Sequence, residues 1–73
     1  PLERPTAFCM GLRKHLTGAR FERVVALPGE PVLNFEFSNR TDLGFEAQFV
    51  LSAELIGKYA NLLLIDASGQ VLG

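Results

Sequence analysis

The sequence has one cysteine, one histidine and no long hydrophobic run, and each shortage excludes a class of protein. Cys9 cannot form an internal disulfide, and with one histidine and no Cys-x-x-Cys pair there is no zinc framework. No segment reaches the ~20 consecutive apolar residues that span a bilayer, because Lys58 and Asp66 bound the most apolar run. The fold must therefore be held together by packing alone.

The chain is also short, with 73 residues and 48% hydrophobic side chains. Below roughly 70 to 80 residues a lone core seldom supplies enough stability without disulfides or metals. The first residue is not methionine, Pro1–Pro5 resembles a linker entering a helix, and Gln70–Gly73 resembles the start of a strand. We therefore expect residues 1–73 to form a single module, as an internal fragment of a larger domain.

Charge is distributed unevenly along the chain, although the net charge is only −1. Residues 1–24 carry five cations against two anions, whereas residues 25–73 carry two against six. A basic helical end on an acidic module is compatible with a surface that faces phosphates. The alternative is that these are ordinary solvated charges.

The pattern of residues 6–17 predicts a helix. Thr6 is a suitable N-cap and Gly18 a suitable stop after the last turn. At ~100° per residue one apolar stripe collects Phe8, Cys9, Leu12 and Leu16, with Met10, Arg13 and Lys14 on the other side. We expect Phe8, Leu12 and Leu16 to face the core, and a neighbour to approach closely at Gly11.

After Gly18 the hydrophobic period changes to two, which predicts strands. The predicted strands are 20–27, 32–37 and 45–53, followed by a short central strand at 61–65 that is covered on both faces, and a last strand beginning at Gln70. Pro28-Gly29 predicts a type II turn, and Asp66–Gly69 a tight turn. The result is an α+β fold, with one N-terminal helix packed on a mostly antiparallel β-sandwich or curled sheet.

Catalytic groups are scarce, and no enzyme activity or cofactor is expected. His15 is the one histidine, and a lone helical histidine is more often a surface or half-packed residue than a general base. Cys9 lies on the apolar stripe with no partner that would activate it as a nucleophile. No glycine-rich phosphate loop is present, and Glu54 and Asp66 each border a predicted turn.

Two segments resemble one known family. Residues 5–20, PTAFCMGLRKHLTGAR, are similar to the segment P-x-x-F-C-M-x-L-R-K-H-L-x-G-x-R of the NFACT family. Residues 54–66, ELIGKYANLLLID, are similar to its E-[LIM]-[MI]-G-[RK]-x-[SA]-N-[LI]-[IL]-L-x-D. Members are also called fibronectin-binding protein A or bacterial ribosome-associated quality control factors. The pair of motifs is specific and covers most of the chain.

The resemblance implies part of an N-terminal domain whose fold is similar to that of formamidopyrimidine-DNA glycosylases, without their chemistry. It further implies a cytoplasmic factor that binds tRNA and the large ribosomal subunit and promotes C-terminal tailing of stalled nascent chains. In many members an Asp-Arg pair implicated in tRNA recognition precedes the strand that matches 32–37. Glu30-Pro31 stands there in this sequence, so the acid remains but the arginine is replaced by a residue without charge or donor.

The residues best able to contact RNA are cations, and we predict phosphate contacts rather than base reading for them. They are Arg13, Lys14, Arg20, Arg23 and Lys58. A second group, from the family motifs, is Glu30, Glu54, Gly57 and Asn61. For Glu54, Gly57 and Asn61 the favoured interpretation is a structural turn, with glycine at an unusual φ and the polar side chains bonded to nearby backbone.

Two alternatives remain open at this stage. One is an adhesin module at the cell surface that binds fibronectin, and the other is a purely structural core whose functional surfaces lie elsewhere. Because strands at both ends lack partners in sequence, we also expect the isolated piece to be able to form a homodimer through strand edges.

Overall fold

The computed structural model describes residues 6–73 as one helix followed by four strands; the predicted linker Pro1–Pro5 lies outside this range. The elements are α1 (Ala7–Leu16), β1 (Arg20–Ala26), β2 (Val32–Arg40), β3 (Glu46–Ile56) and β4 (Tyr59–Asp66). The strands form one antiparallel sheet in the order β1-β2-β3-β4. The predicted α+β class is confirmed, in the form of a single open sheet within the described residues. The last predicted strand is reduced to one bridge, between Ile65 and Val71.

Helix α1 begins and ends where the sequence predicts. The Thr6 hydroxyl accepts a hydrogen bond from the Cys9 amide at 3.1 Å, which satisfies one of the unpaired N–H groups of the first turn. Gly18 follows the C-cap residue Thr17 with φ 76°, a conformation that glycine adopts without steric cost. The close approach expected at Gly11 is confirmed, since a Cβ there would lie 3.2 Å from the Leu72 carbonyl oxygen.

The side of α1 that packs on the sheet is rotated from the predicted stripe. Phe8, Leu12 and Leu16 are each half-buried, as is His15, whose ring lies 5.2 Å from that of Phe49. Cys9 is exposed, so the prediction that it lies on the buried stripe is wrong. Gly11 and His15 shift the centre of the contact away from Cys9, which stands ~100° around the helix from Phe8.

Strand register places the phenylalanines of β2 and β3, with Leu51 and Leu64, on the face that carries the helix. Phe37 pairs with Phe49, and Phe35 pairs with Leu51, which in turn pairs with Leu64. Directly opposed residues in antiparallel strands share a face, so the predicted alternation in β2 and β3 is confirmed. Among residues 6–73 the buried hydrophobic side chains are Phe49, Ala53 and Leu64, and Leu64 is completely buried.

Strand β4 is an edge strand of the four-stranded sheet rather than the predicted central one. The following segment partly covers its outer edge, where the Leu72 amide donates to the Leu64 carbonyl at 2.7 Å. Leu62 remains 42% exposed, so β4 is not covered along its length on both faces. A short apolar run predicts that the whole strand is buried. In β4 only Leu64 is buried, on the face that packs against the helix.

The turns follow the predicted chemistry. In the β1–β2 turn the Glu30 amide donates to the Leu27 carbonyl at 3.2 Å, and Gly29 has φ 73° at the position that a type II turn requires. Pro31 precedes β2 and its carbonyl accepts from the Leu55 amide at 2.7 Å. Proline has no N–H to donate back to the Leu55 carbonyl, so the ladder loses one hydrogen bond at this pair, which is tolerated at the entry to a strand.

Candidate nucleic-acid surface

The outward side of α1 carries two of the predicted RNA contacts. Arg13 and Lys14 are both exposed in the last turn of the helix. Cations are favourable there because the carbonyl groups at the end of a helix give it a partial negative charge. The helix thus holds both side chains toward solvent. It has ten residues and is too short and too polar to cross a membrane.

The end of the helix is attached to strand β2 through one side chain. The Asn39 amide nitrogen donates to the carbonyl oxygens of His15 at 2.8 Å and Thr17 at 3.0 Å. Its oxygen accepts from the Arg40 amide at 2.9 Å. Carbonyl groups at a helix end lack partners within the helix, so Asn39 satisfies them and fixes the position of the last turn.

Arg40 is a cation at this end of the sheet that the sequence did not single out. The strand predicted at 32–37 ends before this residue, whereas β2 continues to Arg40. Arg20 pairs with Ser38, so Arg20 and Arg40 extend from the same sheet face on neighbouring strands. The Arg40 guanidinium donates to the Gly44 carbonyl at 3.0 Å, and both arginines line a shallow recess. If the predicted strand 32–37 had been extended by three residues with the same alternation, Arg40 would have been predicted as a strand residue.

A cleft of about 360 Å³ lies between the helix end and the β2–β3 and β4 turns. It has a mixed lining that includes Lys14, His15, Arg40, Asp42, Phe49 and Asp66. The two carboxylates balance the two cations, so the cleft itself is not strongly basic. His15 contributes a half-buried ring packed against Phe49, as expected for a half-packed histidine.

Asp66 at the rim of the cleft is held by its own turn. Its carboxylate accepts hydrogen bonds from the Ser68 hydroxyl at 2.7 Å, the Gln70 amide at 2.9 Å and the Ser68 amide at 2.9 Å. These bonds, the Ser68 hydroxyl first, lower the pKa of Asp66 below its ordinary value of 3.8. The carboxylate is therefore ionised at neutral pH, and its main role is to shape the tight turn predicted at Asp66–Gly69.

The five predicted cations do not form one surface. Arg23 makes an exposed ion pair with Glu36, across the bulge that shifts the β1–β2 register. Lys58 lies in the β3–β4 turn, at the opposite end of the sheet from Arg20. The eight residue steps of β2 alone separate the two ends by about 26 Å. Arg13, Lys14 and Arg40 lie at the helix end, and Arg20 lies at the same end of the sheet but on the face opposite the helix.

The family-motif residues lie at the end of the sheet that is far from the helix. Glu30 is exposed in the β1–β2 turn, and Gly57 has φ 58° in the β3–β4 turn. Glu54 and Asn61 differ from the expected turn, because they are paired residues of β3 and β4. The Asn61 amide donates to the Glu54 carboxylate at 3.1 Å, so the two side chains bond across the strands rather than to nearby backbone. Only Gly57 has the turn geometry predicted for it.

Comparisons with known proteins agree over nearly the whole chain. The family model described as NFACT N-terminal and middle domains matches residues 2–73. The Rqc2 homolog RqcH of Streptococcus suis is 39% identical over 66 residues, which are 90% of this chain and 12% of that protein. The Rqc2 homolog RqcH of Bacillus subtilis is 32% identical over 68 residues, 93% of this chain and 12% of that protein. The chain thus spans about an eighth of the length of these relatives.

Two solved structures have the same fold. The N-terminal domain of the fibronectin-binding protein PavA from Streptococcus pneumoniae is 34% identical with a TM-score of 0.84, covering 94% of this chain and 26% of that one. The N-terminal part of the fibronectin/fibrinogen-binding protein FBPS from Streptococcus suis is 33% identical with a TM-score of 0.86, covering 99% and 27%. Sequence and structure together place the protein in the NFACT family, to which this chain belongs.

Proposed function

We propose that the chain is part of a cytoplasmic factor that binds tRNA and the large ribosomal subunit and promotes C-terminal tailing of stalled nascent chains. One observation carries the proposal: 90% or more of the chain aligns with proteins named Rqc2 homolog RqcH. In this role the chain contributes binding contacts and no catalytic group, because the ribosome forms the peptide bonds.

The helix end is the part of the chain best suited to contact tRNA. Arg13 and Lys14 are exposed on one outward side, and the Asn39 bonds hold that turn in place. Because the Asn39 bonds already fix the backbone of this turn, less of the chain has to be ordered when the two cations meet phosphates, which favours binding. The family resemblance implies an arginine in many members at the position of Pro31, and on this proposal the helix cations carry more of the contact here.

Reversing the charge of the helix pair tests this assignment. We expect Arg13→Glu with Lys14→Glu, in the full-length protein, to weaken tRNA binding. The plot of the logarithm of the binding constant against the logarithm of the salt concentration should also become less steep, by roughly one per lost phosphate contact. Binding is measured by filter retention or fluorescence anisotropy across a salt series.

The matched control is Arg23→Glu with Lys58→Glu, which makes the same change in net charge at the ion pair and at the opposite end of the sheet. We expect a smaller effect from it. Equal slopes for both double variants would mean that net charge alone matters, and an unchanged slope for the helix variant would refute the assignment.

A second candidate function is fibronectin binding at the cell surface, because both solved structures carry that name. Co-sedimentation of the full-length protein with large ribosomal subunits, beside binding to immobilised fibronectin, separates the two. Finding the protein only in the surface fraction, with no subunit binding, would favour the adhesin.

A further inference from the structure

Helix α1 covers only part of the apolar face of the sheet. It packs over Phe49 through His15, and Gly11 lies next to Leu64. Two residues before Leu64 on the same face, Leu62 is 42% exposed. The face therefore has one half under the helix and one half without a covering element among residues 6–73.

The uncovered half forms one continuous surface across all four strands, here called the bare half. Its large side chains are Phe21, Val24, Leu33, Phe35, Leu55 and Leu62. Phe21 is 53% exposed, Val24 49% and Leu55 48%, while Leu33 and Phe35 between them are half-buried. A contiguous apolar patch that crosses a whole sheet is unusual on a free surface and marks a contact with another layer.

The composition of the bare half decides the kind of partner. The charged side chains of β1 and β2 that lie nearby, including Arg23 and Glu36, extend from the opposite face, where they pair with each other. The bare half itself carries aliphatic and aromatic groups. Such a surface gives no attraction to phosphate, so its partner is apolar polypeptide rather than RNA.

We propose that the bare half is an internal surface of the N-terminal domain, covered in the full-length protein by a segment of the same polypeptide outside residues 1–73. The solved N-terminal structures match this chain at TM-scores of 0.84 and 0.86, yet the match fills only 26% and 27% of their chains. The same helix and sheet thus occur together with about three times as much additional polypeptide.

A covering segment from the same chain is favoured over a second copy. Covalent connection gives such a segment an effective concentration in the millimolar range, far above that of a separate molecule in solution. Domains bury a sheet face against a second layer around one core, and the two solved chains are named as N-terminal regions of single proteins. This inference goes beyond the proposed function and holds whether the protein binds tRNA or fibronectin.

Thiol labelling of the full-length protein tests the proposal directly. In a Cys9→Ser background, Val24→Cys places a thiol in the bare half, and Leu43→Cys places one in the β2–β3 turn, where Leu43 is 83% exposed. N-ethylmaleimide is the probe, and peptide mass spectrometry assigns each labelled thiol. We expect the position 24 thiol to react at least tenfold more slowly than the one at position 43, and both to react equally fast in denaturant.

Leu62→Cys, at the other edge of the bare half, gives a second reading in case Val24→Cys does not fold. The proposal would be overturned if, in a folded monomer, the thiol at position 24 reacted with N-ethylmaleimide as fast as the thiol at position 43. The same holds for the thiol at position 62 where that variant is used. Protection that disappears as a dimer dissociates on dilution would assign the surface to a second copy. Protection that appears only with added ribosomal subunits or fibronectin would assign it to that partner, and either result overturns the proposal.

Discussion

The covered and bare halves of one sheet face are made of the same strands and the same apolar alternation, but differ in what lies above them. Under the helix, Leu64 is completely buried, and in the bare half Leu62 on the same strand is 42% exposed. Alternation thus determines which face of a strand is apolar, while burial depends on the element that packs against that face. Within residues 6–73, helix α1 covers one half of this sheet face, and no element covers the other half.

Replacing the leucines of β4 gives the largest expected effect. Leu64→Ala leaves a cavity beneath the helix and should lower the free energy of unfolding by about 2–5 kcal/mol. Urea unfolding of the full-length protein, followed by circular dichroism, measures the change. Leu62→Ala should cost nearly as much in the full-length protein, because the proposed segment covers Leu62 there, and a much smaller cost would count against that segment.

Leu43→Ala is the control for these leucine variants. Leu43 is 83% exposed in a turn, so its truncation should change the free energy of unfolding by less than about 0.5 kcal/mol. A Leu64→Ala cost as small as that of Leu43→Ala would show that the helix does not pack as described.

An intermediate effect is expected from detaching the helix end. Asn39→Ala removes the donor shared by the His15 and Thr17 carbonyls and should cost about 1–2 kcal/mol. Amide hydrogen exchange should show faster opening of the last turn of α1, while β3 stays protected. An unchanged exchange rate in that turn would mean that these two hydrogen bonds do not restrain it.

The smallest expected effect concerns pH. The lowered pKa of Asp66 means that its hydrogen bonds stabilise the folded state above its ordinary value of 3.8, and that this contribution is lost as pH falls through the lower folded value. The urea midpoint should therefore fall less between about pH 6 and about pH 3 in Asp66→Asn than in the wild type.

Asp42→Asn is the control for the acid comparison, because it removes a neighbouring carboxylate and leaves the three hydrogen bonds of Asp66 in place. Its pH dependence should resemble that of the wild type. A wild-type response in Asp66→Asn would contradict the role of the turn.

Local signals in the sequence were sufficient for the helix and the turns. The Thr6 cap, the Gly18 stop and the Pro28-Gly29 turn each depend on a few neighbouring residues, and the structure has all three. Residue alternation also identified the apolar faces of β2 and β3. The family resemblance is confirmed by the match to residues 2–73.

Signals that depend on distant contacts were less informative. The apolar run in β4 predicts burial, but the sequence does not show that β4 is an edge strand of the sheet formed by residues 6–73. Likewise Cys9 shares the apolar stripe of α1 but is exposed, because Gly11 and His15 determine which side meets the sheet. Separation along the chain also did not reveal that Lys58 lies at the opposite end of the sheet from Arg20.

The Asn39 amide joins the end of the helix to strand β2, and this has a mechanical consequence. Strand β2 is hydrogen-bonded on both sides, to β1 and to β3. In the proposed function, a tRNA held at Arg13 or Lys14 is therefore connected through Asn39 to a strand inside the sheet rather than to an edge strand.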